Sequence, residues 1–264
     1  MLHRNRVGRI TGSREMTDGP KKPLFHTQTF LSMKYQLTAP FFAQMTDAQY
    51  RDLQAWNNSA LRNCYNALRG ITVEKRPEKV FNFGQAFHTM ILEPEKWDLA
   101  NWKLQPNEIR TLEAMKNQIE KTENMRFFLS NGRREIVAGW RDPVTGLNCK
   151  GKFDLLTSNG EYLVDIKSTG ARDRKEFLEH CEKYNYDRQA AFYLDGCRRD
   201  RFAFFGFQKR APYEIFYFET DRTKPFFQRG EKRYKFLLQK AAEKRWFTPD
   251  AMYQSLNPIQ SVAA

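Results

Sequence analysis

Several features that would send the reading elsewhere are scarce or missing. There are four cysteines in 264 residues, Cys64, Cys149, Cys181 and Cys197, and no two of them form a CxxC pair. That spacing suits neither a disulfide framework nor a zinc site, and it reads as reduced thiols in a cell interior. No apolar run approaches the ~20 residues a membrane-spanning helix needs. The basic start, Met1 to Lys22, is followed by neither an apolar signal core nor a small-residue cleavage site, which argues against secretion. No internal repeat and no low-complexity tract is present. Acidic residues are also short, with 31 Asp and Glu against 44 Lys and Arg, a formal net charge of +13.

The chain is instead rich in core-forming residues. Hydrophobic side chains make up 41% of it and 22 residues are Phe, enough for a sizeable core and too many for intrinsic disorder. An aromatic core under a basic surface points to a polyanionic partner.

Residues 1–33 form a basic leader without periodicity, the composition of a flexible segment, in which Met16 and Met33 are further candidate starts. A single domain is expected over 34–264. Thr46-Asp47 caps a helix through Leu53, and Asn57-Asn58-Ser59 caps a second through Leu68. Pro77 to Phe81 leads into a helix over 83–92, closed by Glu93-Pro94, and one long polar helix is expected over 107–128. The period then changes. Strands are predicted over 134–140, 147–157 and 161–168, the first two separated by Asp142-Pro-Val-Thr-Gly146. One helix over 174–199, strands over 202–207 and 213–219, and a basic helix over 225–246 complete the pattern. This order predicts an α/β fold with a mixed sheet.

The most informative stretch is Gly151 to Lys167. Asn159-Gly160 is a strong hairpin signal and sets a register in which paired positions sum to 319. Asp154 then faces Asp165, with Lys167 two residues further along the same face, while Phe153 with Ile166 and Leu155 with Val164 form the core face. Opposed carboxylates repel unless something positive lies between them. Oxygen ligands in this arrangement suit Mg²⁺ or Mn²⁺, and a metal beside a lysine is equipment for phosphodiester hydrolysis. Taken alone, Asp-x-Lys fits a solvated hairpin with a surface salt bridge better, because the pattern is common.

Three other motifs accompany it. Gly84 and His88, at i and i+4, share a helix face on which glycine leaves space above the imidazole. Gly151-x-x-Asp154 places a glycine where the backbone passes close to something. Gln189 and Tyr193 repeat the i, i+4 geometry on a later helix.

In this order the four motifs resemble the PD-(D/E)xK nuclease superfamily in its RecB-like branch. Ser59-Ala-Leu61, Phe83 to Pro94 and Thr145 to Asp154 are similar to the RecE-type exodeoxyribonuclease VIII family, although Leu155 follows Asp154 and no literal Pro-Asp occurs. The resemblance implies a restriction-endonuclease-like core, a central mixed β-sheet flanked by helices. It implies metal ligation by His88, Asp154, Asp165 and the Ile166 carbonyl, with Lys167 acting on the water. Gln189 and Tyr193 would contact DNA or hold the site. Glu93 and Glu135 are candidate outer carboxylates, and Ser59 and Arg62 candidate contacts for a terminal 5′-phosphate. The implied activity is Mg²⁺-dependent digestion of duplex DNA ends, 5′→3′, with Mn²⁺ substituting and no iron–sulfur cluster. Implied partners are DNA ends, a single-strand annealing protein and further copies in a ring, in a bacterial cytoplasm and of phage or prophage origin. The alternatives are a CRISPR-adaptation-like RecB-type nuclease and an inactive DNA-end-binding protein.

Overall fold

The computed structural model describes residues 40–72 and 78–256. The leader over 1–33 and Pro77 lie outside the described residues. Six strands form one sheet in sequential order: β1 (Phe41–Gln44), β2 (Gly132–Arg141), β3 (Asn148–Thr157), β4 (Tyr162–Thr169), β5 (Arg201–Gln208) and β6 (Ile215–Asp221). Every pairing is antiparallel except β4–β5, which is parallel. A parallel pair cannot be joined by a tight turn. The crossover here is α6 (Arg174–Lys183) followed by α7 (Tyr186–Cys197).

Helices cover both faces. On one side α3 (Glu78–Leu92), α4 (Pro106–Ile119) and α5 (Glu123–Asn131) bury Phe87, Met115 and Phe128 against Val164, Ile166, Phe205 and Phe207. On the other, α2 (Asn58–Arg69), α6, α7, α8 (Pro225–Glu243) and α9 (Pro249–Leu256) pack Leu61, Phe177, Phe192 and Leu237 against Phe153, Leu163, Phe202 and Phe204. The run Phe202-Ala-Phe-Phe-Gly-Phe207 is apolar at every position because β5 is buried on both faces.

The capping signals hold. Thr46 forms a capping box at α1 (Asp47–Asp52), and Asn57 accepts the Ala60 N–H at the start of α2. Two long helices expected from periodicity are each a pair. The stretch 107–128 breaks after Ile119 and restarts at Glu123. The stretch 174–199 breaks at Tyr184-Asn185, where Asn185 takes a left-handed φ of 56°, a conformation asparagine tolerates better than most residues. The edge strand β1 and the last helix α9 have no counterpart in the periodicity reading. No described helix is long and apolar enough to cross a membrane.

Candidate active site

The hairpin register is the expected one. Leu155 pairs with Val164 and Leu156 with Leu163, each summing to 319, around a turn with Gly160 at φ 73°. The ladder does not continue to Asp154 and Asp165 as a further rung. Beyond Leu155 and Val164, β3 stays with β2, and β4 stays with β5 as far as Thr169. The strands therefore part, and the two aspartates stand at the mouth of the fork. Asp154 Oδ2 accepts the N–H of Ile166 at 2.5 Å, so a side chain replaces the missing backbone rung.

The same fork corrects the expected core face. Leu155, Val164 and Ile166 lie in the core under α3, but Phe153 packs against Tyr193 of α7 on the other side, with ring centroids 4.9 Å apart. Side-chain alternation slips at Asp154. Opposite it, Glu135 has φ 52° and interrupts the β2–β3 pairing between Arg134 and Ile136. A non-glycine residue held in this region is a strained feature typical of functional sites.

Side chains from both helical layers enter the fork. His88 of α3 places Nδ1 3.5 Å from Asp154 Oδ1. From the opposite layer, Gln189 Nε2 donates to Asp165 Oδ1 at 2.5 Å. Lys167 Nζ lies 2.6 Å from Asp165 Oδ2 and 5.3 Å from the Tyr186 ring centre. Gln189 and Tyr193, both buried, act differently. Gln189 orients a carboxylate, whereas Tyr193 is a packing surface for Phe153 and Gly151. A Cβ on Gly151 would come within 2.9 Å of the Tyr193 ring, so that ring is what the glycine backbone passes.

Charges in the fork are strongly coupled. Burial pushes Asp165 up, Lys167 opposes that, and like charge on Asp154 adds to it, leaving Asp165 above the usual carboxylate range. Burial also works against ionised Asp154, but His88, Lys167 and the Ile166 N–H outweigh it and hold Asp154 low. His88 is lowered by burial and raised more by Asp154. Lys167 is lowered by burial and carried well above its ordinary value by Asp165, Tyr186 and Asp154, so it holds its proton.

Asp165 Oδ2 is buried, and its one close polar neighbour among the described residues is the Lys167 ammonium at 2.6 Å. A buried carboxylate oxygen with a single lysine beside it keeps lone-pair capacity that a cation could use. The expected donor set, two aspartates and the Ile166 carbonyl with His88, is mostly hard oxygen, which fits Mg²⁺ or Mn²⁺. Among the described residues no three His, Cys, Asp or Glu side chains form a ready-made metal cage, so the backbone carbonyl and solvent would have to complete the shell.

The remaining sequence candidates are distributed around this centre. Glu135 pairs with Lys152, which also reaches Asp47 Oδ1 at 2.9 Å. Burial and nearby Asp154 raise Glu135 despite that lysine. Glu93 pairs with Lys96 and, with Glu135 and Arg134, lines a cavity of about 640 Å³ beside the fork. Ser59 and Arg62 are exposed on the first turns of α2 and bond to none of the fork residues. Lys152 escaped sequence reasoning. Its position two residues before Asp154 was a signal, but its partners lie on other strands and helices.

No curated protein sequence matches the chain. Among solved structures, a candidate exonuclease from Eubacterium rectale shares the fold, with 16% identity over 77% of this chain and 88% of that one, at a TM-score of 0.55. An alkaline exonuclease from Laribacter hongkongensis is similar at 11% identity, covering 80% of this chain and 97% of that one, with a TM-score of 0.38. A phage-related exonuclease from Haemophilus somnus 129PT is similar at 13%, covering 71% and 81%, also at 0.38. Residues 49–243 match the family described as PDDEXK-like domain of unknown function (DUF3799), a span that contains the whole fork with His88, Asp154, Asp165, Lys167 and Gln189. The chain belongs to that PDDEXK-like family, and its mixed sheet between two helical layers is the restriction-endonuclease-like fold.

Proposed function

We propose that this chain is a divalent-metal-dependent exonuclease that hydrolyses phosphodiester bonds at the ends of duplex DNA. The observation that carries the reading is the sheet fork itself, where Asp154 and buried Asp165 stand together and Asp165 Oδ2 meets only protonated Lys167 among the described residues. His88, Asp154, Asp165 and the Ile166 carbonyl would hold the metal. A bound Mg²⁺ or Mn²⁺ would supply Lewis-acid polarisation of the phosphate and a more acidic water. The chain's own residues do the positioning. Gln189 fixes the rotation of the Asp165 carboxylate by donating to Oδ1, leaving Oδ2 directed into the fork. Lys167, kept cationic by its acidic neighbours, orients the attacking water and offsets charge building on the phosphate. Tyr193 holds the Gly151 backbone in place behind Asp154.

The finer reading rests on the resemblance of the motifs. It is 5′→3′ resection that leaves a 3′ strand for an annealing protein, performed by a ring of identical chains in a bacterial cell infected by, or carrying, a phage. Ser59 and Arg62, exposed at the start of α2, are assigned to a terminal 5′-phosphate. The +13 charge supplies the sequence-independent attraction to phosphates that such an enzyme needs.

Linear duplexes labelled at the 5′ or the 3′ end, incubated with Mg²⁺ or with EDTA, test the activity and its direction together. Loss of the 5′ label first, only with Mg²⁺, is the expected outcome. Equal cutting in EDTA removes the metal mechanism. Nicking of a closed plasmid as fast as linear DNA leaves a nuclease but not an exonuclease. Binding without cutting in any metal leaves an end-binding protein.

A further inference from the structure

The two faces of α3 have different fates. Phe83, Ala86, Phe87, Met90 and Ile91 are buried against the sheet and the neighbouring helices. Phe81, Gly84, Gln85 and His88 are spaced by three, four and seven residues and so share the other face. His88, at one end of that stripe, turns into the fork beside Asp154. Phe81, two turns away, is 62% exposed and makes no aromatic stacking contact among the described residues. Gly84 lies between them. A Cβ there would meet nothing within 4 Å among the described residues, so their packing does not require glycine, although glycine is among the worst helix formers. An aromatic left in solvent and a glycine with no packing partner thus lie in line with the catalytic carboxylates.

We infer that this face of α3 is the floor over which the DNA strand runs to the fork, and that Phe81 stacks on one of its bases. The inference rests on the nuclease reading and adds a substrate contact to it. A rise of 1.5 Å per residue puts Phe81 about 10 Å along the axis from His88. Successive nucleotides of a strand are about 3.4 Å apart, so the stacked base lies about three nucleotides from the phosphate in the fork. Every base offers a face for stacking, which suits an enzyme that must accept any sequence. A cation stands at the same end of the helix: Lys79 is in its first turn and 64% exposed, 3.7 Å from Glu108 Oε1. Gly84 keeps the backbone low where the sugar-phosphate chain would cross.

The test uses the full chain, duplexes carrying 2-aminopurine at successive positions from the end, and Ca²⁺ in place of Mg²⁺. Wild type is expected to change the fluorescence at one position, about three nucleotides from the cleaved bond. Phe81→Ala should lose that signal and bind about tenfold more weakly, the scale of one base–aromatic stack. Its log Kd against log salt should keep the wild-type slope, because no phosphate contact has gone. Phe81→Trp should restore signal and affinity. Gly84→Ala should move two readouts in opposite directions, raising the Tm of the free protein by a few degrees while weakening DNA binding.

A signal that persists in Phe81→Ala, or none at any position in a chain that cleaves DNA, overturns this inference and leaves the nuclease reading standing. A changed molecular mass for Phe81→Ala with unchanged DNA binding overturns it too, because the face would then join copies of the chain. Wild type that neither binds nor cuts DNA removes both readings.

Discussion

Asp165 and Asp187 are both buried aspartates tied to the same helix, and their surroundings separate structure from chemistry. Asp187, on α7, has both oxygens taken. Oδ1 accepts the N–H of Arg188 at 2.7 Å, and Oδ2 accepts Arg233 Nη1 of α8, also at 2.7 Å. Helix α8 comes close enough to close the pair because Gly230 faces the Asp187 carbonyl, where a Cβ would sit only 1.9 Å from the oxygen. Two residues on, Gln189 points to the other side and donates to Asp165. There Oδ1 accepts from Gln189, while Oδ2 has only the Lys167 ammonium beside it among the described residues. Burial raises both carboxylates, but Asp187 is opposed by Arg233 and more weakly by Arg229, while Asp165 carries the extra push of Asp154. A closed pair of this kind joins two helices. An open one holds a lone pair available for something that arrives later.

The largest effect should separate the two in catalysis. Asp165→Asn and Lys167→Ala should each cut cleavage by about 10²-fold or more in single-turnover assays, the scale of losing a positioned catalytic group. Asp187→Ala should retain cleavage per folded molecule. Metal binding then sharpens the division. Mn²⁺ should raise the Tm of wild type and of Asp187→Ala by linkage, and should do little for Asp165→Asn. Lys167→Ala should bind Mn²⁺ at least as well as wild type, because a like charge has been removed. Normal Mn²⁺ stabilisation of Asp165→Asn would break the comparison, since the open oxygen would then have no part in holding metal.

In stability the order reverses. Asp187→Ala removes two hydrogen bonds and leaves the buried Arg188 N–H without an acceptor, a loss of about 1–3 kcal/mol. Because the Arg233 side chain is 44% exposed and can rehydrate, the lower half of that range is expected. Without metal, Asp165→Asn should be neutral or stabilising, because it relieves repulsion from Asp154. Urea unfolding of both variants in EDTA measures the difference, and equal destabilisation would mean Asp165 is structural as well.

The contrast between these two aspartates was only half legible in the sequence. Asn159-Gly160 fixed the hairpin register, and from it the proximity of Asp154, Asp165 and Lys167, because a tight turn is a local event. The motif order supplied His88 and Gln189. The fork itself was invisible. Local alternation implies a continuous ladder, and the parting of β3 from β4 depends on β4 finding β5, about 40 residues downstream and in parallel. The slip that sends Phe153 to the Tyr193 side has the same origin. Lys152 reads as a surface lysine because Asp47 and Glu135 reach it only through tertiary structure. Asp187 looks like any helical aspartate until α8 is in place. The break at Asn185 was the most recoverable miss, since asparagine between two tyrosines is a plausible left-handed stop.

The smallest predicted effect is in the pH dependence of folding, and it tests whether Asp165 is as electrostatically exposed to its neighbour as the fork implies. Its carboxyl is raised above the ordinary 3.8 by burial and by Asp154, against the pull of Lys167. Between 3.8 and the raised folded value, the folded chain holds a proton that the unfolded chain has lost. Stability from this group is therefore fully present below 3.8 and falls as pH rises through the folded value. Asp165→Asn cannot lose that proton. In EDTA, its unfolding free energy relative to wild type should grow across this window and level off above it. Asp154 runs the other way, because it is held low by His88, Lys167 and the Ile166 N–H against the cost of burial. Its contribution is present above 3.8 and disappears as pH falls through the folded value, so Asp154→Asn should lose ground to wild type as pH rises from the folded value to 3.8 and hold level above it. Opposite slopes in the two variants are the signature of an unequal pair sharing one lysine. Parallel slopes would mean the two carboxylates titrate alike, and the distinction between them drawn from the Asp165 oxygen would fail.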